Sequence, residues 1–142
     1  MRRYAWAVLG LGLAVAGTRE TAAQEPNPPP TVDLRQNYPN PFNPATTIPF
    51  VLDGQLFANG HRPKVSLRIY NVLAQLVAIP ILQGSGDKLD NIELTCTGSS
   101  CAYTAYWDGK VLNSDREAAS GVYLYQLVVD GERYTRKMIV MK

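Results

Sequence analysis

The chain has 142 residues, of which 46% are hydrophobic and 18% are charged, and its formal net charge at pH 7 is +2. The first 23 residues contain three basic residues, Arg2, Arg3 and Arg19, and one acidic residue, Glu20. Without them, the number of basic residues falls from 14 to 11 and that of acidic residues from 12 to 11, so the charge of the remaining chain is balanced. Nucleic-acid binding requires a basic face or stripe, and a balanced chain does not predict one. The roughly 119 residues after position 23 are enough for one domain with a modest core.

The N-terminus has the pattern of a secretory signal peptide. Arg2 and Arg3 precede an uncharged apolar run from Ala5 to Ala16. At about 12 residues this run is shorter than the roughly 20 residues that a membrane-spanning helix needs, but it has the length of a signal-peptide core. Cleavage after Ala16 or after Ala23 fits the preference for small residues, and we favour Ala23 because a polar segment begins at Gln24. The alternative is a single membrane anchor. A signal peptide predicts export, with no stable membrane insertion once it is removed.

A proline-rich segment separates the signal peptide from the rest of the chain. The sequence EPNPPP (25–30) favours an extended polyproline conformation, so we assign residues 24–35 to a linker and residues 36–142 to one domain. The domain begins with QNYPNPFNP (Gln36 to Pro44), in which prolines and asparagines alternate around two aromatic residues. Proline fixes φ and asparagine favours turns. We expect a rigid, irregular lead-in that Tyr38 and Phe42 attach to the domain.

Alternating hydrophobic residues predict short β-strands through the rest of the domain. Pro49 is expected to restrict the first of them to a sheet edge or to lie at a strand margin, and Pro80 interrupts the third. Asp130-Gly131 is a strong signal for a two-residue hairpin turn, because a type I′ turn needs positive φ at both positions. Six or seven strands without a helical period predict an all-β, antiparallel β-sandwich, in which Ile69 and Trp107 are expected to be buried between the sheets. The predicted strands are Thr46–Leu52, Lys64–Tyr70, Gln75–Leu82, Ala102–Trp107, Gly121–Val129 and Glu132–Met141.

Cys96 and Cys101 are the two cysteines of the chain, in the segment LTCTGSSCAY. In an exported protein they meet an oxidising compartment, and four intervening residues can close a tight loop, with Gly98 supplying the turn. We expect a disulfide. The alternatives are a free pair or an incomplete metal site, for which His61 is the only histidine available.

The sequence predicts no catalytic, cofactor-binding or metal-binding residues. His61 lies in a polar loop without the context of a nucleophile, and we expect it to be solvated. Asp108, Asp115 and Glu117 lie near one another in DGKVLNSDRE, but they lack the spacing of a calcium loop. The chain is therefore expected not to be an enzyme.

Four segments in order resemble the C-terminal sorting domain of type IX secretion cargo (type A), which is related to the immunoglobulin-like domain of flagellar hook-capping proteins. They are QNYPNPFNPATTIPFVL (Gln36 to Leu52), VSLRIYNVLAQLV (Val65 to Val77), YWDGK (Tyr106 to Lys110) and ASGVYLYQLVVDGERYTRKMIVMK (Ala119 to Lys142). Two departures stand out. Ala74 replaces the glycine usual in the turn after Ile-Tyr-Asn, where a positive φ would strain alanine, and the segment from Leu82 to Ala102 looks longer than usual.

The resemblance implies an immunoglobulin-like sandwich of about seven strands that is read by an outer-membrane translocon and removed by a sortase-like protease. The implied location is the periplasm in transit and then the cell surface or the medium. The sorting-motif candidates are Arg136, Lys137, Met138, Val140 and Lys142. Because so little chain precedes the domain, two alternatives remain open: a small secreted or surface-displayed binding module, with a homotypic or surface partner, and a structural connector of a filament or appendage.

Overall fold

The computed structural model describes residues 29–96 and 99–142, so the signal peptide predicted over residues 1–23 and the turn residue Gly98 lie outside the described residues. A 3-10 segment, Gly54–Gly60, follows the second strand. The strands of the described residues are β1 Val32–Leu34, β2 Thr46–Asp53, β3 Lys64–Asn71, β4 Leu76–Ala78, β5 Ile81–Leu82, β6 Ile92–Glu93, β7 Ser100–Trp107, β8 Gly121–Val129 and β9 Glu132–Val140.

These strands form two antiparallel sheets, which confirms the all-β prediction. Sheet A has the order β1-β2-β7-β5, and sheet B has the order β4-β3-β8-β9, with β6 also pairing with β3. The long strands pair in full register, from Thr46 opposite Trp107 in sheet A to Gly121 opposite Val140 in sheet B. Strand β9 is therefore an edge strand.

One hydrophobic core receives side chains from both sheets. Alternation along β2 buries Ile48, Phe50 and Leu52, because successive side chains of a strand point to opposite faces. The same alternation along β8 buries Tyr125 and Leu127. Further core residues are Val65, Leu67, Ile69, Leu89, Trp107 and Met138. Burial of Ile69 and Trp107 confirms the faces assigned to their strands.

The strand predicted over residues 75–82 is in fact two strands in different sheets. Strand β4 pairs with β3 in sheet B, whereas β5 pairs with β7 in sheet A. Pro80 lies between them, and because proline cannot donate a ladder hydrogen bond, it ends one pairing before the next begins. This split, together with the short β1 and β6, is why the described residues contain nine strands rather than about seven.

Two further expectations from proline positions are corrected. The linker assigned to residues 24–35 contains β1, which pairs with β2 from Val32 opposite Leu52 onward. Strand β2 therefore lies inside sheet A rather than at its edge. Pro49 is tolerated there because it lies beside the end of β1, where its missing N–H is not needed. The Pro49 carbonyl accepts from the Arg35 N–H at 3.0 Å. The Arg35 carbonyl, which would otherwise require an N–H at position 49, accepts from the Tyr125 hydroxyl at 2.7 Å instead.

Two turns of sheet B adopt the backbone that the sequence predicts. Asp130 and Gly131, between β8 and β9, have φ of 49° and 90°, as a type I′ turn requires. Ala74, between β3 and β4, has φ of 63°, so alanine occupies a left-handed position there.

Candidate functional site

The two family-like signatures at opposite ends of the domain sequence are in direct contact. Phe42 of the lead-in forms a parallel bridge with Val140 of β9. Its N–H donates to the Ile139 carbonyl at 3.1 Å, and its carbonyl accepts from the Met141 N–H at 3.0 Å. We call the combination of Gln36 to Pro44 with Arg136 to Lys142 the signature edge.

Side chains of the lead-in extend this pairing along β9. The Asn40 Oδ1 accepts from the Ile139 N–H at 3.0 Å, and the Gln36 Nε2 donates to the Lys137 carbonyl at 3.0 Å. An uncovered edge strand offers unpaired N–H and C=O groups to other chains. Between Lys137 and Met141, the lead-in occupies that edge.

A buried aromatic group fixes the lead-in at one end of the molecule. Phe42 is buried and packs edge-on against Trp107, with ring centroids 5.4 Å apart. Trp107 in turn contacts Tyr123 of β8 at 6.0 Å and donates from its indole Nε1 to the Lys110 carbonyl at 2.9 Å. Tyr38 does not take part: the residue is 76% exposed, so the expectation that its ring attaches the lead-in is wrong. Its residue is held through backbone bonds to Thr47 instead.

A network of buried polar groups supports the same segment. Asn37 and Thr46 are nearly inaccessible to solvent. The Asn37 Nδ2 donates to the Thr46 Oγ1 at 3.0 Å and to the Pro39 carbonyl at 3.1 Å, and the Thr46 hydroxyl donates to that same carbonyl at 3.0 Å. Because buried polar groups are costly unless paired, this network specifies one conformation of the lead-in.

Strands β8 and β9 also hold the first strand of the opposite sheet. The Arg136 Nε donates to the Leu34 carbonyl at 2.6 Å, and the Tyr125 hydroxyl accepts from the Asn37 N–H at 3.0 Å while donating to Arg35. Burial raises the pKa of Tyr125, and the Asn37 hydrogen bond and the Arg136 charge only partly oppose this rise. Tyr125 therefore stays a neutral donor at physiological pH.

Gly109 permits the close approach of the end of the lead-in. Its φ is +87°, and a Cβ at this position would lie 2.0 Å from the Pro44 carbonyl oxygen. Backbone this close leaves room for glycine alone. The YWDGK segment therefore contributes to the signature edge through its glycine as well as its tryptophan.

The structure divides the five sorting-motif candidates between core and surface. Met138 and Val140 are buried in the shared core, and Arg136 donates a hydrogen bond to the Leu34 carbonyl of β1. Lys137 has an exposed side chain, and Lys142 pairs through its Nζ with the Glu117 Oε1 at 3.1 Å. The edge-covering roles of Gln36 and Asn40 and the Tyr125 bridge were not predicted. The one signal for Gln36 and Asn40 was the density of amide side chains in the lead-in, and nothing in the sequence pointed to the Tyr125 bridge.

The opposite end of the molecule carries the cysteines and the histidine. Cys96 and Cys101 form the expected disulfide, with Cα atoms 6.1 Å apart. His61 is not merely solvated, because its Nε2 lies 2.8 Å from the Asp130 Oδ2. The Lys64 N–H donates to the other carboxylate oxygen at 2.9 Å. Partial burial raises the pKa of Asp130, but the His61 and Lys64 hydrogen bonds and the His61 charge together hold it below the ordinary value.

The acidic loop residues have local structural contacts. The Asp108 Oδ1 accepts from the Lys110 N–H at 2.9 Å, and Glu117 pairs with Lys142. Within residues 29–96 and 99–142, no group of three histidine, cysteine, aspartate or glutamate side chains could hold a metal ion. The same residues include no helix long and apolar enough to cross a membrane.

Comparison with family models gives no match, and comparison with curated proteins gives none either. Among solved structures, the fold is similar to part of the Pseudomonas fluorescens alkylpurine DNA glycosylase AlkC bound to DNA containing an abasic site analog, with a TM-score of 0.51 and 16% sequence identity. The match covers 78% of this chain and 30% of the AlkC chain. At this identity the likeness concerns the fold alone.

Proposed function

We propose that this chain is an exported, noncatalytic immunoglobulin-like β-sandwich that acts as a type IX sorting signal. In this proposal residues 1–23 direct export to the periplasm, and the signature edge is read by an outer-membrane translocon. A sortase-like protease then acts in the segment before β1. The observation that carries the proposal is the contact between the two signatures: the lead-in covers β9 between Lys137 and Met141 through both backbone and side-chain hydrogen bonds.

This contact gives a physical reason for the two signatures to occur together. Phe42 of the lead-in takes its backbone hydrogen bonds from β9, and β9 depends on the lead-in to cover its edge. A translocon that recognises this unit would therefore detect whether the domain has folded. The charge of the domain is balanced, whereas nucleic-acid binding requires a basic face or stripe. The proposal therefore includes no nucleic-acid partner.

The structure also determines how the proposal has to be tested. Deleting residues 138–142 would remove two core side chains and unfold the domain, and loss of export would then be uninformative. The exposed Lys137 and the surface-paired Lys142 can be changed without emptying the core. A reporter inserted after Glu25 keeps β1 and every contact of the signature edge.

We expect the reporter in this full-length fusion to reach the cell surface or the medium in a host with type IX machinery. The Lys137→Ser, Lys142→Ser double variant should stay in the periplasm, while the matched pair Lys64→Ser, Lys88→Ser, at exposed positions outside the four family-like segments, should be exported normally. Protease resistance of the periplasmic form shows whether it is folded. A wild-type fusion that folds but stays in the periplasm would refute the sorting function and favour the binding module or connector.

A further inference from the structure

One row of side chains crosses the outer face of sheet A and contains two tyrosines. Tyr38 forms an antiparallel bridge with Thr47 of β2, and Thr47 lies opposite Tyr106 of β7. Residues paired directly across strands project to the same face of a sheet. Thr46 and Trp107, in the adjacent row, are buried, so the row that contains Thr47 faces outward. Two rings therefore stand on the outer face with the smaller threonine between them.

The strand pairing fixes the separation of these two tyrosines. Tyr38 and Thr47 exchange both backbone hydrogen bonds, at 2.8 and 2.9 Å, and such a pair has Cα atoms about 5.5 Å apart. Because Thr47 directs these backbone groups to Tyr38, it forms a non-hydrogen-bonded pair with Tyr106, with Cα atoms about 4.5 Å apart. The two tyrosines are thus about 10 Å apart across the strands. We call Tyr38, Thr47 and Tyr106 the tyrosine trough.

The backbone of Tyr38 is held in place although the residue is 76% exposed. Besides the two backbone hydrogen bonds, its carbonyl accepts from the Thr47 hydroxyl at 2.9 Å. Neither Tyr38 nor Tyr106 uses its hydroxyl in a hydrogen bond to another described residue. Tyrosine offers a large contact area at a low cost in conformational entropy. A ring on a fixed backbone with a free hydroxyl is thus organised in advance for a ligand.

The strands around the trough carry no outward charge. The outward positions between Thr47 and Val51 on β2 and between Ala102 and Tyr106 on β7 are occupied by uncharged residues. At the neighbouring edge, Asp33 and Arg35 form an ion pair with each other at 2.9 Å. Anionic membranes and nucleic acids are bound by clustered cations, which these strands lack. The trough instead suits an uncharged ligand with apolar rings and carbonyl acceptors.

A polyproline segment has these properties, and the chain contains one. The sequence EPNPPP (25–30) places Pro26 and Pro29 three residues apart. A polyproline helix has three residues per turn and rises about 3.1 Å per residue, so these prolines lie on one side of it, about 9 Å apart. That distance matches the separation of the two tyrosines. Its carbonyls have no internal hydrogen bonds, and aromatic surfaces bind such segments.

The segment of the same molecule is too short to reach its own trough. The Thr31 carbonyl accepts from the Asp53 N–H, so the chain enters sheet A at the opposite end of β2 from Thr47, about 20 Å away. Pro29 lies within about 6 Å of Thr31 along a polyproline helix, and Pro26 within about 15 Å. The pair of prolines must therefore come from another molecule.

We propose that the tyrosine trough binds the proline-rich segment of a second copy of this chain. Pro26 packs against one tyrosine ring and Pro29 against the other, above Thr47, while the tyrosine hydroxyls donate to carbonyls of the segment. This inference goes beyond the proposed sorting function and does not depend on it, because it uses neither Lys137 nor Lys142.

The test uses the protein lacking residues 1–23, which keeps every described contact, and a synthetic peptide of residues 25–31. We expect sedimentation to show association that rises with concentration and that the peptide competes away. In NMR titrations the peptide should shift the amide signals of the tyrosine trough. A peptide with Pro26→Ala and Pro29→Ala should not do so.

Variants of the protein test the role of the ring. Tyr38→Ala should weaken peptide binding about tenfold, the order expected for loss of an aromatic interface anchor, whereas Tyr38→Phe should keep most of it. Tyr70→Ala, on the outer face of sheet B, is the matched control and should bind normally. Thermal melting shows whether each variant folds.

Several results would overturn this proposal. A wild type that remains monomeric at its highest soluble concentration would do so, as would a folded Tyr38→Ala variant that binds the peptide normally. Peptide-induced shifts confined to another surface would also contradict it. If cellohexaose shifted the trough signals and the peptide did not, the rings would belong to a glycan site instead. Export of the reporter fusion is measured separately, so the sorting function stands or falls independently.

Discussion

The two ends of this domain are held together by different physical means. At the lead-in end, which contains Phe42, Trp107 and Val140, a buried ring pair and buried amide hydrogen bonds join both sheets. At the disulfide end, which contains the Cys96–Cys101 bond and the His61–Asp130 pair, one covalent bond and one exposed ion pair hold the loops. The lead-in end thus depends on packing and the disulfide end on local links. A substitution at the lead-in end should therefore disturb both sheets, whereas loss of a link at the disulfide end should have only a local effect.

Phe42→Ala should have the largest effect on stability. Emptying this buried position should cost about 3 to 5 kcal/mol, including the edge-on contact with Trp107. Urea unfolding measures the loss, and Tyr38→Ala is the matched control, since its exposed ring should contribute less than about 0.5 kcal/mol. In protein lacking residues 1–23, Trp107 is the one tryptophan, and its emission should shift to the red in Phe42→Ala. Equal losses of stability for Phe42→Ala and Tyr38→Ala would contradict the conclusion that Phe42, and not Tyr38, attaches the lead-in.

Reducing the Cys96–Cys101 bond should have a smaller effect that remains local. Opening so short a loop should cost about 2 kcal/mol through the entropy of the unfolded chain. Trp107 emission should stay unchanged at low denaturant, because the cysteines lie at the other end of β7. Intact mass with and without reductant verifies the bond, because reduction adds two hydrogen atoms, one to each sulfur. A red shift on reduction alone would show that the two ends are coupled.

Replacing Ala74 with glycine should stabilise the domain slightly. A left-handed backbone costs a non-glycine residue about 1 to 2 kcal/mol, and the greater freedom of glycine in the unfolded chain offsets part of the gain. We expect a net increase of about 0.5 to 1 kcal/mol in the free energy of unfolding. Ala119→Gly, at an exposed position without positive φ, should instead destabilise. A loss of stability in both would mean that Ala74 is not strained.

The smallest effect is expected from the charge of Asp130. Its pKa lies below the ordinary value of 3.8 in the folded protein, so its contribution is present above about pH 4 and is lost as the pH falls through the folded-state pKa. Asp130→Asn keeps the turn preference and should cost less than about 1 kcal/mol at pH 7 because the pair is partly exposed, and this cost should shrink as the pH falls through the folded-state pKa of Asp130. The exposed Asp115→Asn variant is the control. A cost for Asp130→Asn that does not change with pH would rule out the ion pair as its source.

Sequence patterns predicted the features that depend on neighbouring residues. Strand alternation identified the buried faces, Asp130-Gly131 identified its turn, and the two cysteines identified their bond. The roles of Gln36, Asn40 and Tyr125 could not be predicted, because each partner lies about a hundred residues away in the chain or in the other sheet. The proline-rich composition led to the prediction of a linker over residues 24–35, which contains β1. This strand forms only because it pairs with β2. The exposure of Val122 and Leu124 was not predicted, because the alternation of these strands was used only to identify the side chains that face inward.

The parallel arrangement of the lead-in and β9 has a mechanical consequence. Phe42 and Val140 pair as parallel neighbours, so tension applied between the chain before β1 and the chain after β9 pulls the two segments in opposite directions along their length. Their hydrogen bonds then bear the load together instead of separating one after another, as they would in a hairpin pulled open at its ends. The same few contacts that cover an edge strand are thus loaded in shear when tension is applied across the domain.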